Sequence, residues 1–184
     1  MVVFIIGGSA SGKSEYAENL SVRLAQEAPK LYIATMEPFG EEAKYRIERH
    51  HALRKNKGFH TLERYRNLKE IKEEGYHTIL LECMSTLLAN ERFAEEKNKG
   101  NYVESILRGI ETLKSRSEHL ILVSNKIFDD GVEYADETKG YIKDLGEINR
   151  RLSQDADVVI EIVCGIPVIH KGQEKLNGEI KTNV

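Results

Sequence analysis

The sequence predicts an α/β fold: a three-layer sandwich built on a mostly parallel sheet. Three observations carry this reading. Short apolar runs rich in β-branched residues recur along the chain, without the alternation expected of a strand that has one wet face. Segments with helical spacing fall between those runs, which is the pattern of helices covering both faces of a parallel sheet. A glycine-rich turn separates the first run from the first helix.

Taken in order, residues 2–6 are continuously apolar and read as a strand buried on both faces. After the glycine-rich turn, residues 15–27 read as a helix with Ala17, Leu20, Leu24 and Ala28 on one stripe. Residues 31–35 form a second strand, and residues 41–55 a strongly charged helix. A short strand is expected at 59–62 and a short helix at 68–74, ended by Gly75. Residues 78–83 give another buried strand, with Ile79, Leu80 and Leu81 in succession. A short helix at 85–88 then leads into a polar loop at 91–100. Residues 102–114 carry a clear helical stripe of Val103, Ile106, Leu107, Ile110 and Leu113. The strand at 120–123 precedes an acidic, irregular stretch at 129–140 and a helix at 142–152. Strands at 158–163 and 168–170 follow, and residues 177–184 read as a loose tail.

The 184 residues fit one domain, residues 1–184, long enough to bury a core without disulfide or metal staples. A formal net charge of −3 gives no electrostatic case for nucleic acid or an anionic membrane as the main partner. Any anion site must therefore be built locally. The two cysteines, Cys83 and Cys164, sit beside apolar residues in no zinc-like spacing and are expected to be reduced, buried small hydrophobes. No apolar run approaches membrane-spanning length and none resembles a signal peptide, so a cytoplasmic location is expected.

The glycine-rich turn carries the first chemistry. Gly7, Gly8, Ser9, Ala10, Ser11, Gly12, Lys13 and Ser14 match GxxxxGK[ST] in full, between a predicted strand and a predicted helix. Small residues let successive backbone N–H groups curl around phosphate oxygens, and the helix N-terminus adds its positive end. Lys13 is placed to reach the β- and γ-phosphates of a nucleoside triphosphate, and the Ser14 hydroxyl to ligate Mg²⁺. Such a site also needs a carboxylate at the end of a nearby strand. Glu82, closing the apolar run Ile79-Leu80-Leu81, fits that requirement, and Glu37 is the other candidate.

A second cluster exceeds what a simple ATPase needs. On the charged helix, Arg46, His50 and Arg54 fall at i, i+4 and i+8, and Ile47, His51 and Arg54 share the adjacent stripe. One reading is a solvated charged face. The other is an anion site carrying an imidazole that acts as nucleophile or base, kept neutral by its arginine neighbours.

Eight segments together resemble one family. They are GGSASGKSEYAE (7–18), YIAT (32–35), RIERHHALR (46–54), HTLE (60–63), ILLEC (79–83), Val123-Ser124-Asn125, and the LGEIN and ADVVIEIVCGIPVIHKG stretches near the C-terminus. They are similar, collinearly and over nearly the whole chain, to the bifunctional adenosylcobinamide kinase / adenosylcobinamide-phosphate guanylyltransferases of cobalamin biosynthesis. The resemblance implies a RecA-like P-loop NTPase fold and two reactions. ATP or GTP phosphorylates the aminopropanol hydroxyl of adenosylcobinamide. GMP from GTP is then transferred to the phosphate, through a guanylylated histidine, giving adenosylcobinamide-GDP. By motif position that histidine is His50. Nucleotide contacts carried over by motif are residues 7–14 with Ala34, Thr35, Met36, His51, Ala52, Leu53, Arg54, Glu63 and Glu82; Ser14 and Glu82 would hold Mg²⁺. A homotrimer is implied in the same way. The sequence departs from the family pattern at Glu82, where aspartate is more usual, at His51, where arginine is usual, and after Asn125, where Lys126 and Phe128-Asp129-Asp130-Gly131 stand beside the expected acceptor site. Two other readings use the same loop: a stand-alone kinase of another small hydroxyl substrate, and a nucleotide-dependent regulatory module.

Overall fold

A computed structural model describes residues 1–94, 102–127 and 134–182, apart from the side chains of 42–44, 46, 53 and 180–182. The elements are β1 (Val2–Gly7), α1 (Lys13–Ala25), β2 (Lys30–Ala34), α2 (Gly40–Arg54), β3 (Phe59–Glu63), a 3₁₀ turn (Leu68–Glu70), β4 (Thr78–Glu82), α3 (Met84–Arg92), α4 (Tyr102–Lys114), β5 (His119–Asn125), α5 (Asp136–Asp155), β6 (Val158–Val163), β7 (Ile166–Lys171) and α6 (Gln173–Thr182). The strands form one sheet in the order β3-β2-β4-β5-β1-β6-β7. Every neighbouring pair is parallel except β6 and β7, which form an antiparallel hairpin at the edge.

The continuous apolar runs become strands covered on both faces. Along β1, Val2 and Phe4 point into one core while Val3 and Ile5 point into the other, as the two-residue period requires. Helices α3, α4 and α5 cover the first face, and α1 and α6 the second. This is the expected three-layer arrangement. Each fully buried Leu, Ile or Phe contributes about 1.5–3 kcal/mol, so burial on both faces of the central strands adds to the hydrogen-bonded ladders that join them.

Several local expectations are corrected. The helix expected at 68–74 is one 3₁₀ turn, because Ile71 turns extended to enter the core. Helix α3 runs on to Arg92, into the stretch read as a loop; residues 95–100 lie outside the described residues. The stretch read as irregular is helical from Asp136 onward, with two acids in the favourable first turn; residues 129–133 of it are not described. The tail expected at 177–184 is largely helix α6, seated on the second core by Leu176. Of the cysteines, Cys83 is half-buried and Cys164 exposed, so neither is a fully buried hydrophobe. No helix among the described residues is long and apolar enough to cross a membrane.

Candidate active site

The carboxyl ends of β1, β2 and β4 open on one side of the sheet, where open parallel sheets place their ligands. The glycine-rich loop leaves β1 there. Gly7 cannot carry a side chain, since a Cβ would lie 2.6 Å from Ser11 Oγ and 2.7 Å from the Ile162 carbonyl oxygen. Gly12 caps α1 with φ at 91°, in the left-handed region that favours glycine. Helix α1 begins at Lys13, so Lys13 and Ser14 both lie in its first turn. The Lys13 ammonium donates to the Gly8 carbonyl at 2.9 Å, which bends the side chain back over the loop. Burial pulls its pKa down, against the opposing pull of Cys83 and Glu82. From the far edge of the sheet, Gly165 N–H in the β6–β7 turn donates to the Ser11 carbonyl at 2.9 Å.

Glu82 ends β4 beside this loop. Its Oε1 accepts a hydrogen bond from the Ser14 hydroxyl, and its Oε2 accepts one from the Tyr32 hydroxyl at 3.0 Å. Ser14 and Glu82 are thus neighbours, a hard-oxygen pair of the kind that suits Mg²⁺. Glu37, the other candidate acid, is instead paired with Arg66 at 2.7 Å.

Beyond Glu82 a cavity is lined by Tyr32, Met36, His50, Arg54, Glu63 and Cys83, among others. Ala34, Ile47 and His51 also border it. The guanidinium of Arg54 lies over the Tyr32 ring, its carbon 3.6 Å from the centroid, and its Nε and Nη1 are buried without a hydrogen-bond partner. His50 is half-buried, with Nδ1 likewise unpartnered. Its pKa is lowered first by burial and then by Arg54, Arg49 and Lys13, while Glu82 pulls the other way. The expected arginine effect is therefore present, but desolvation leads. His50, Glu82 and Glu18 each place a ligand-type atom within 4.8 Å of the others.

The residues named from the sequence do not all converge. Thr35 is fully buried and turned to β4, where its hydroxyl donates to the Cys83 carbonyl at 3.0 Å and accepts from the Cys83 N–H at 2.7 Å. Ala52 is exposed, and the side chains of Arg46 and Leu53 lie outside the described set. Two residues at the site lie within the family-like segments, but the sequence does not single them out as site residues. Tyr32 is hidden in an apolar strand run, and Glu18 reads as one more acid on a helix. Glu18 is in fact fully buried and paired with Lys57 at 2.8 Å.

The model of the cobinamide kinase / cobinamide phosphate guanyltransferase family matches residues 3–169. The chain belongs to that family. It is therefore a transferase of the cobalamin pathway, in a family named for both a kinase and a guanyltransferase reaction. It is 30% identical to the bifunctional adenosylcobalamin biosynthesis protein CobU of Salmonella typhimurium LT2 and 27% identical to that of Escherichia coli K12. Each alignment covers 91% of this chain and 98% of the relative. Among solved structures, the flagellar accessory protein FlaH from Methanocaldococcus jannaschii aligns with a TM-score of 0.55 at 15% identity, over 92% of this chain and 77% of FlaH. A type III secretion ATPase aligns with a TM-score of 0.54 at 11% identity, over 99% of this chain and 60% of the other. These likenesses show that the chain shares their overall fold.

Proposed function

We propose that this chain performs both family reactions at one cleft: phosphorylation of adenosylcobinamide from ATP or GTP, and transfer of GMP from GTP through His50. The observation that carries the reading is the cavity that His50 lines together with Glu82 and Arg54, close enough to Lys13 of the phosphate loop to feel its charge. An unpartnered imidazole kept neutral by burial is a nucleophile in its reactive form.

In this reading the loop amides and Lys13 hold the β- and γ-phosphates. Ser14 and Glu82 are the residues that would hold Mg²⁺, which when bound offsets phosphate charge. One ring nitrogen of His50 bonds to the α-phosphorus of GTP as the bond to the pyrophosphate oxygen breaks, and pyrophosphate leaves with the electron pair. The uncommitted donors of Arg54, on the wall of the same cavity, would offset the negative charge of the transferring group. The phosphorylated acceptor then displaces the histidine. Met36, His51 and Glu63 complete the nucleotide wall, together with Ala34. A corrinoid is too large for the closed part of the cleft, so its acceptor end alone enters. A single domain over residues 1–184, a homotrimer and a cytoplasmic location belong to the same proposal.

The deciding experiment treats purified protein with α-labelled GTP and Mg²⁺, without acceptor. The label is expected to become covalent, acid-labile and stable to mild base, as a phosphoramidate is. His50→Ala should abolish it and leave phosphorylation of cobinamide measurable, and His51→Ala should retain it. Label lost in His51→Ala but kept in His50→Ala would move the nucleophile by one residue. No label in the parent would favour the stand-alone kinase.

A further inference from the structure

Tyr32 touches both halves of the proposed site and has no part in the scheme above. It is 2% exposed. Its ring lies under the Arg54 guanidinium, and on its other contacts Phe59 meets it edge-on, with ring centroids 5.9 Å apart. Its hydroxyl donates to Glu82 Oε2. One rigid side chain therefore spans from the acid beside the phosphate loop to the helix that carries His50.

The attachment of α2 gives this contact its weight. Among the described side chains of α2, only Arg54 is buried; Tyr45, Glu48, Arg49, His51 and Ala52 are exposed. The Arg54 guanidinium is held by stacking on the ring, which leaves Nε and Nη1 uncommitted. A stack of this kind gains strength when it is desolvated. A hydrogen-bonded anchor would have used the donors that an anionic ligand needs. Stacking fixes the cation and keeps its edge free.

We infer that Tyr32 is a positioning residue with two separable duties: its ring seats Arg54 and so docks the end of α2 that bears His50, while its hydroxyl orients Glu82 toward Ser14. The activity readouts below rest on the proposed function; the docking readout does not.

Two substitutions separate the duties. Tyr32→Phe keeps the ring and loses the hydroxyl. Its Mg²⁺ half-saturation for cobinamide phosphorylation should rise roughly tenfold, the scale of one hydrogen bond to a charged group. At saturating Mg²⁺ its rate of covalent labelling by GTP should stay within about twofold of the parent, because the ring that seats Arg54 is kept. Tyr32→Leu loses both contacts. Its labelling rate should fall by roughly tenfold or more, and backbone amides of residues 47–54 should exchange with deuterium about tenfold faster while β1 and β5 are unchanged. Arg54→Met removes the stack from the other side and should reproduce the faster exchange, which keeps the test open if Tyr32→Leu does not fold. Equal effects of Phe and Leu on both activities would reduce Tyr32 to a core residue and overturn the inference. Unchanged exchange of α2 in Tyr32→Leu and Arg54→Met would overturn the docking role. If the parent takes no label, the function reading falls and the exchange comparison alone decides on Tyr32.

Discussion

Across 68 positions of sequence, the Ser14 hydroxyl donates a hydrogen bond to Glu82 Oε1, joining the first turn of α1 to the end of β4. The two groups share one small volume with Lys13, whose ammonium is bent back onto Gly8. Glu82→Gln should cut phosphorylation by roughly 100-fold or more, because the carboxylate that would hold Mg²⁺ beside the phosphates is lost. Its thermal midpoint should stay close to that of the parent. Lys13→Ala should remove most triphosphate binding, read by titration with a fluorescent nucleotide. A folded Lys13→Ala protein that turns over at the parent rate would sink the assignment of this cleft.

The Glu18–Lys57 pair, which borders His50 and Glu82, makes a stability test. Glu18 is fully buried and Lys57 is only 20% exposed, so removing the cation strands a carboxylate in the interior. Lys57→Ala should cost about 3 kcal/mol in urea denaturation. Burial already pushes the Glu18 pKa up, against the pull of Lys57. The double variant Lys57→Ala/Glu18→Gln should therefore recover part of the loss. A double variant no better than the single one would show that the cation acts through packing.

His119 sets a pH dependence at the opposite end of the sheet. It is 4% exposed, meets His77 edge-on at 5.0 Å between ring centroids, and has a buried, unpartnered Nδ1. Burial lowers its pKa, helped by the amino terminus and His77 and opposed by Glu179 and Glu118. The folded state thus resists a proton that the unfolded chain takes up near pH 6.5. Its contribution is whole above that pH and is lost as pH falls from there toward the folded-state value. Chemical denaturation at pH 7.5 and 5.5 should show a smaller drop in midpoint for His119→Gln than for the parent.

Two helical glycines should respond with opposite sign. In α4, a Cβ on Gly109 would sit 2.5 Å from Leu68 Cβ and 3.3 Å from the Lys69 nitrogen, so Gly109→Ala forces the 3₁₀ turn away and should cost roughly 1–3 kcal/mol. In α5, a Cβ on Gly146 would meet nothing within 4 Å. Gly146→Ala should gain about 0.5–1 kcal/mol from helix propensity. Thermal melts of the two single variants decide both.

The central strands β1, β4 and β5 and helix α4 were legible because the strands carry continuous apolar runs and the helix repeats an apolar stripe, signals that need no partner. Residues 102–114 and 158–163 agree with the structure to the residue. What failed was whatever depends on a distant contact. Helix α6 reads as a tail because Leu176 is its main anchor, and that anchor matters only once α1 is beside it. The start of α5 reads as irregular because of Gly140, whose missing side chain makes room for the Arg92 guanidinium. At the site, the phosphate loop is written locally, and His50 and Arg54 are marked by their spacing. The burial of Glu18, the stack on Tyr32 and the pairing of Glu37 with Arg66 are tertiary facts with no local trace.

The bond from Gly165 to Ser11 gives the far hairpin a practical use. Cys164, the exposed one of the chain's two cysteines, sits in that turn one residue from a backbone that touches the phosphate loop. Cys83 is half-buried, its sulfur 2.8 Å from the Thr86 hydroxyl, so the accessible thiol is the one beside the loop. A fluorophore attached to Cys164 would be a built-in reporter: its emission should change when a triphosphate binds the adjoining loop, with no engineered residue and no coupled assay.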